Sequence, residues 1–116
     1  MNKQEKGRAG ENAALASLIK KGYVLLWRNY RAARCEIDLV MEDEETLVFL
    51  EVKARYGEAY GHGREAVTPA KQRNIIKAAQ HFALSHAMTQ RFMRFDVVEV
   101  DLLNKTVCHI KDAFRC

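Results

Sequence analysis

Two residues of opposite charge, Glu51 and Lys53, stand inside the apolar run Val48-Phe49-Leu50-Glu51-Val52-Lys53, and Asp38 stands inside a second run, Cys35-Glu36-Ile37-Asp38-Leu39-Val40. Runs rich in Val, Phe and Leu predict strands buried on both faces. Side chains alternate across a strand, so Glu51 and Lys53 share a face with Leu47 and Phe49. Burying a carboxylate or an ammonium costs several kcal/mol unless each is paired or bound. The acidic stretch Glu42-Asp43-Glu44-Glu45 separates the two runs and predicts a turn. With Asp43 to Thr46 as a four-residue loop, Glu42 pairs with Leu47. The antiparallel register then sets Asp38 opposite Glu51 and Glu36 opposite Lys53. Directly opposed side chains have Cβ atoms roughly 5 Å apart. Two carboxylates that close repel unless a proton or a cation lies between them. A slip of one residue would put them on opposite faces. Unslipped, the hairpin builds a divalent-metal site from Asp38 and Glu51 with Lys53 beside it.

An acid followed by E-x-K on a neighbouring strand suggests metal-dependent cleavage of a phosphodiester. The carboxylates hold Mg²⁺ or Mn²⁺, which polarises the phosphate and lowers the pKa of a bound water. A lysine beside the metal orients or deprotonates that water, or neutralises charge developing on phosphorus. Taken alone, the same letters also fit a buried salt-bridge network.

The elements that must position these residues follow from the rest of the chain. At 116 residues it is one domain, and its apolar and charged fractions, 48% and 29%, are those of an ordinary globular protein. A net charge of +4 permits a polyanionic partner without demanding one. Cys35, Cys108 and Cys116 are odd in number and lack C-x-x-C spacing, which predicts a reducing cytoplasm rather than a disulfide scaffold. The N-terminal residues lack the apolar core of a signal peptide and no run reaches transmembrane length, so the expected location is cytosolic.

From about Gln4 to Lys21 the chain favours helix, with Ala9, Ala13, Leu15, Ala16, Leu18 and Ile19 as its apolar stripe and Gly22 as its C-cap. On spacing alone, Glu11 in this helix reads as a solvated residue. Tyr23 to Tyr30 predicts the first strand, and Arg28, Arg31 and Arg34 form a basic segment at its end. Tyr56 to Arg64 holds three of the six glycines and predicts a loop, which either touches substrate or merely connects. His62 within it has no second ligand at metal spacing, so zinc is not expected. Thr68-Pro69 opens a second helix that buries Ile75, Ile76, Ala79, Phe82 and Ala83. Lys71 and Arg73 are expected to point outward, as phosphate contacts or as a solvated cationic face. Phe92 to Leu102 and Val107 to Ile110 predict a final hairpin turning at Asn104-Lys105. Asp96, Glu99 and Asp101 read as strand-edge charges, although Asp96 sits between apolar residues.

Five ordered blocks carry a resemblance over nearly the whole chain, from about Gly7 to Val100. They are Gly10-Glu11-Asn12-Ala13-Ala14; Glu36-Ile37-Asp38-Leu39; Phe49-Leu50-Glu51-Val52-Lys53-Ala54-Arg55; Glu65-Ala66-Val67 with Lys71-Gln72-Arg73; and Arg94-Phe95-Asp96-Val97-Val98. The pattern resembles the YraN-like family of small bacterial proteins, which is similar to archaeal Holliday-junction resolvases and the wider PD-(D/E)xK nucleases. The resemblance implies an α/β domain of mixed α+β type. Its restriction-endonuclease-like core would be a central mixed sheet of about five strands flanked by helices. It implies metal-binding acids at Asp38 and Glu51, a catalytic lysine at Lys53, and Glu11 as a fourth member of the site. The implied cofactor is Mg²⁺ or Mn²⁺. The implied partner is DNA, branched DNA included, with Arg28, Arg31, Arg55, Lys71 and Arg73 toward its phosphates, and a homodimer is implied as well. Cys35 stands where the family usually has Gly, which leaves the acids intact but alters the strand's approach. Three readings follow: a metal-dependent endonuclease for structured or branched DNA, a non-catalytic DNA-binding module of the same fold, or an interaction protein whose acidic hairpin is a salt-bridge network.

Overall fold

The computed structural model describes residues 1–57 and 67–116; from residue 58 the glycine-rich stretch, with His62 and Glu65-Ala66, lies outside the described residues. In chain order the elements are α1 (Lys3–Lys20), β1 (Val24–Ala32), β2 (Cys35–Asp43), β3 (Thr46–Arg55), α2 (Pro69–Ser85), β4 (Met93–Asp101) and β5 (Thr106–Phe114). The sheet order is β1-β2-β3-β4-β5, antiparallel throughout except for the parallel β3–β4 pair. Parallel neighbours need a crossover, and α2 supplies it. Each helix covers one face of the sheet. Ala14 and Leu18 of α1 pack with Leu39, Met41, Val48 and Leu50. On the other face, Ile75, Ala79 and Phe82 of α2 pack with Val40, Leu47, Phe49 and Phe95. β2 and β3 are therefore buried on both sides, as their unbroken apolar runs require. Among the described residues, no helix is long and apolar enough to cross a membrane.

The helix ends obey their sequence signals. At the end of α1, Gly22 takes φ +95°, its N–H donates to Ile19 O at 3.0 Å, and the Tyr23 N–H donates to Leu18 O at 3.0 Å. These two bonds make a Schellman motif, whose left-handed position glycine fills without strain. Thr68 caps α2 by accepting from the Lys71 N–H at 3.2 Å, with Pro69 in the first turn. The buried line of α1 differs from the expected stripe: it is Gly10, Ala14 and Leu18, while Ile19 is 53% exposed. The reason is close packing on β3. A Cβ at Gly10 would stand 2.7 Å from the Ala54 Cβ, so only the small line lets the helix approach this far.

The acids of β4 are not edge charges, because β4 lies between β3 and β5, and Asp96, Glu99 and Asp101 are all buried. Asp101 caps the turn to β5, accepting from the N–H groups of Gly57 at 3.0 Å and Leu103 at 3.0 Å. Asp96 accepts from Arg94 Nε and Nη2, both at 3.0 Å, from the Asp112 N–H at 2.9 Å, and lies 2.8 Å from His109 Nε2. Arg94 reaches on to Asp43 at 3.1 Å and to the Tyr23 hydroxyl at 2.7 Å. Burial works to raise the Asp96 carboxyl, but His109, Arg94 and the Asp112 amide overcome it and hold the group below the usual range. Asp96→Ala would leave Arg94 and His109 without their central acceptor. Breaking a buried charge network from one side costs about 3–5 kcal/mol, so a denaturant midpoint unmoved by this change would contradict the assignment.

Candidate active site

The β2–β3 hairpin turns on two residues, Glu44-Glu45, instead of the expected four, with Asp43 paired to Thr46 and Glu44 at φ 56°. The register is nonetheless the expected one: Glu42 pairs with Leu47, and the ladder runs to Leu39↔Leu50. There it stops. Ile37 and Val40 both belong to the α2-side core while Leu39 faces α1, so side-chain alternation breaks around Asp38 and the strands part. In place of a ladder pair with Glu51, Asp38 Oδ2 accepts the Val52 N–H at 2.7 Å. The Asp38 carboxyl still meets that of Glu51. Burial, then the Glu51 charge and the hydrogen bond between the two groups, push the Asp38 carboxyl up to about 8.

On the other side of Asp38, a bulge in β1 between Leu25 and Trp27 moves the β1–β2 register by one residue. The pairs Arg28↔Leu39 and Tyr30↔Ile37 then bracket Asn29 opposite Asp38, and Arg31 pairs with Glu36. Asn29 adopts φ 52°, a left-handed conformation that asparagine tolerates better than most residues. Its Nδ2 donates to Glu11 Oε1 at 3.1 Å, Glu11 Oε2 at 3.3 Å and Glu36 Oε1 at 3.2 Å. One carboxylate oxygen from each of Glu11, Glu36 and Asp38 falls within 4.8 Å of the others. Glu11 arrives there because Gly10, its chain neighbour, lets α1 press against β3. Burial raises the Glu11 carboxyl, with the Asn29 hydrogen bond opposing. So Glu11 does belong with the acids, and Glu36 joins them instead of facing Lys53. Sequence reasoning missed Asn29, which holds two of the acids together.

Glu51 stands outside that trio, against Asp38. It is 7% exposed, and its Oε2 accepts no hydrogen bond among the described residues. Among the described residues, Lys71 Nζ forms an ion pair with that oxygen at 3.7 Å. Lys71, expected to point outward, is exposed yet reaches one of the acids, and Arg73 beside it is exposed as well. Arg28 lies 3.5 Å from Glu11 and donates to Asn12 at 3.0 Å, while Arg31 pairs with Glu36 at 2.8 Å. Arg55 is half-buried, its Nε 3.6 Å from Glu99. Lys53, also half-buried, is in register with Glu99 of β4 and makes no ion pair among the described residues. Cys35, buried at the start of β2, pairs with Ala32 across a two-residue turn in which Ala33 and Arg34 take φ 53° and 60°.

A five-stranded mixed sheet with a helix on each face, carrying its acids where β2 and β3 part, defines an α+β domain consistent with a restriction-endonuclease-like core. The chain belongs to the family described as Uncharacterised protein family UPF0102, whose profile matches residues 10–100, and this is the YraN-like family its motifs resemble. A UPF0102 protein of Chlorobium phaeobacteroides strain BS1 is 47% identical over 94 residues, covering 81% of this chain and 75% of that protein. One from Clostridioides difficile strain 630 is 39% identical over 114 residues, covering 98% of this chain and 100% of the relative.

Proposed function

We propose that this chain is a Mg²⁺- or Mn²⁺-dependent endonuclease that cleaves phosphodiester bonds in structured or branched DNA. The observation that carries this reading is the convergence of Glu11, Glu36 and Glu51 on Asp38 from three separate elements. Half-buried carboxylates this close are unfavourable without a cation. An all-oxygen donor set suits a hard divalent ion, and the Oε2 of Glu51, which accepts no hydrogen bond among the described residues, offers it a lone pair. Asp38 and Glu51 would hold the ion, with Glu11 and Glu36 bordering it. Such an ion, when bound, polarises the phosphate and acidifies a water. Lys53, on the same strand face as Glu51, orients that water or neutralises charge developing on the phosphate. Asn29 fixes the orientation of Glu11 and Glu36. Water adds across one P–O bond, leaving a phosphomonoester and a hydroxyl.

One observation favours a second reading. Arg28 and Arg31 already neutralise Glu11 and Glu36, as in a DNA-binding protein that keeps the fold without turnover. Incubation with duplex, single-stranded and four-way-junction DNA, with and without Mn²⁺, separates the two. Metal-dependent cleavage supports the nuclease, binding without cleavage selects the second reading, and an inert mixture, with neither binding nor cleavage, would contradict both. The cations near α2 give a finer test. Each phosphate contact contributes about 0.9 to the slope of log affinity against log salt. Arg73→Ala should therefore flatten the slope by about that much. Lys71→Ala should change it less, because its ammonium is already engaged by Glu51. Equal effects would mean that Lys71 leaves Glu51 when DNA binds.

A further inference from the structure

A groove of about 490 Å³ opens along the first turns of α1, lined by Lys3, Gly7, Arg8, Arg28 and Arg31 together with Glu11 and Glu36 of the acid trio. Arg28 and Arg31 are engaged by acids, but Lys3 and Arg8 make no ion pair among the described residues. Gly7 is the unexplained member. It lies inside a helix without a positive φ, where only proline is a poorer helix former. Packing does not call for it either: a Cβ added at Gly7 meets nothing within 4 Å, whereas one at Gly10 would collide with β3. Gly7 precedes Glu11 by four residues, so the two lie on one face of α1. The missing side chain thus leaves bare helix surface in a groove where four cations meet two of the acids, one turn from Glu11.

We propose that this groove is a DNA-backbone subsite. A strand crosses α1 over Gly7, with its phosphates toward Lys3 and Arg8, on its way to the acids. The inference rests on the nuclease reading in taking DNA as the ligand, and adds Lys3, Gly7 and Arg8 to the two groove residues, Arg28 and Arg31, already expected to contact phosphate. Because it concerns binding alone, its test needs no metal and no turnover. Fluorescence anisotropy with labelled duplex and single-stranded DNA in EDTA would compare the parent with Gly7→Ala, Gly7→Gln and the double variant Lys3→Ala/Arg8→Ala. Alanine and glutamine are better helix formers than glycine. Both Gly7 variants should therefore melt at or above the parent's temperature, while Gly7→Gln binds DNA at least tenfold more weakly. Loss of Lys3 and Arg8 together should flatten the salt slope by about 1.8. Unchanged DNA affinity in Gly7→Gln, with the parent binding, would overturn this inference alone. A lowered melting temperature in Gly7→Ala would overturn it too, by making the glycine a packing residue. A parent that binds no DNA would overturn both this subsite and the nuclease reading.

Discussion

Asp38→Asn is expected to abolish metal-dependent cleavage while leaving the protein at least as stable as the parent at pH 8. The substitution imitates a protonated Asp38. Its side-chain oxygen can still accept the Val52 N–H that Asp38 Oδ2 accepts at 2.7 Å, and its amide can donate toward Glu51. The negative charge needed to hold a cation is gone. The stability effect follows from the direction of the shift, because the Asp38 carboxyl rises from an ordinary 3.8 to about 8 on folding. Between those values the folded state keeps a proton that the unfolded chain has released. The group's contribution to stability is therefore complete below the lower value and disappears as pH rises through the upper one. Linkage sets the slope at up to about 1.4 kcal/mol per pH unit for one proton. Denaturant unfolding between pH 5 and 8 should show the parent losing stability with rising pH more steeply than Asp38→Asn. A variant less stable than the parent at pH 8 would mean that the ionised carboxylate is a structural ion-pair partner.

Lys53→Ala should lose turnover by about 10²-fold or more, roughly 2.7 kcal/mol of transition-state stabilisation, with DNA affinity and cation uptake retained. The separation of rate from binding comes from its position. Lys53 shares a strand face with Glu51, is half-buried, and makes no ion pair among the described residues, so its charge is not consumed in holding the fold. Arg28, Arg31 and Lys71, by contrast, each lie against a carboxylate. Single-turnover cleavage at saturating protein, set beside DNA binding without metal, reads the two effects apart. Full cleavage by Lys53→Ala would remove it from the chemistry and leave it as a strand residue beside Glu99.

The hairpin was legible because its signals are local. Alternation places Glu51 and Lys53 on one face, and the apolar runs fix a register that holds from Glu42↔Leu47 to Leu39↔Leu50. Helix ends were legible for the same reason, since Gly22, Thr68 and Pro69 act within one turn of their own positions. What escaped depends on partners far away in sequence. The bulge in β1 shifts pairing by one residue without any pattern in Val24–Ala32 to mark it, and that shift brings Arg31 to Glu36 and sets Asn29 opposite Asp38. The two-residue turn at Glu44-Glu45 was missed because neither residue is the glycine or asparagine that usually takes φ > 0. Asp96 read as a surface charge because its partners come from three strands or turns: Arg94 two residues away, His109 on β5, and Tyr23 through Arg94. For Glu11, spacing alone pointed the wrong way. Only the family resemblance brought it toward the acids, where close packing at Gly10 delivers it.

The most direct test of the acid cluster as a cation site is a thermal melt of the metal-free protein at pH 8, without DNA, before and after adding Mn²⁺. A cation that binds only the folded state stabilises it by about 2.7 kcal/mol at a hundred times its Kd. The parent's melting temperature should rise and that of Asp38→Asn should not. No shift in the parent, together with a destabilised Asp38→Asn, would contradict the cation site and leave Glu11, Glu36, Asp38 and Glu51 as members of an ion-pair network with Arg28, Arg31 and Lys71.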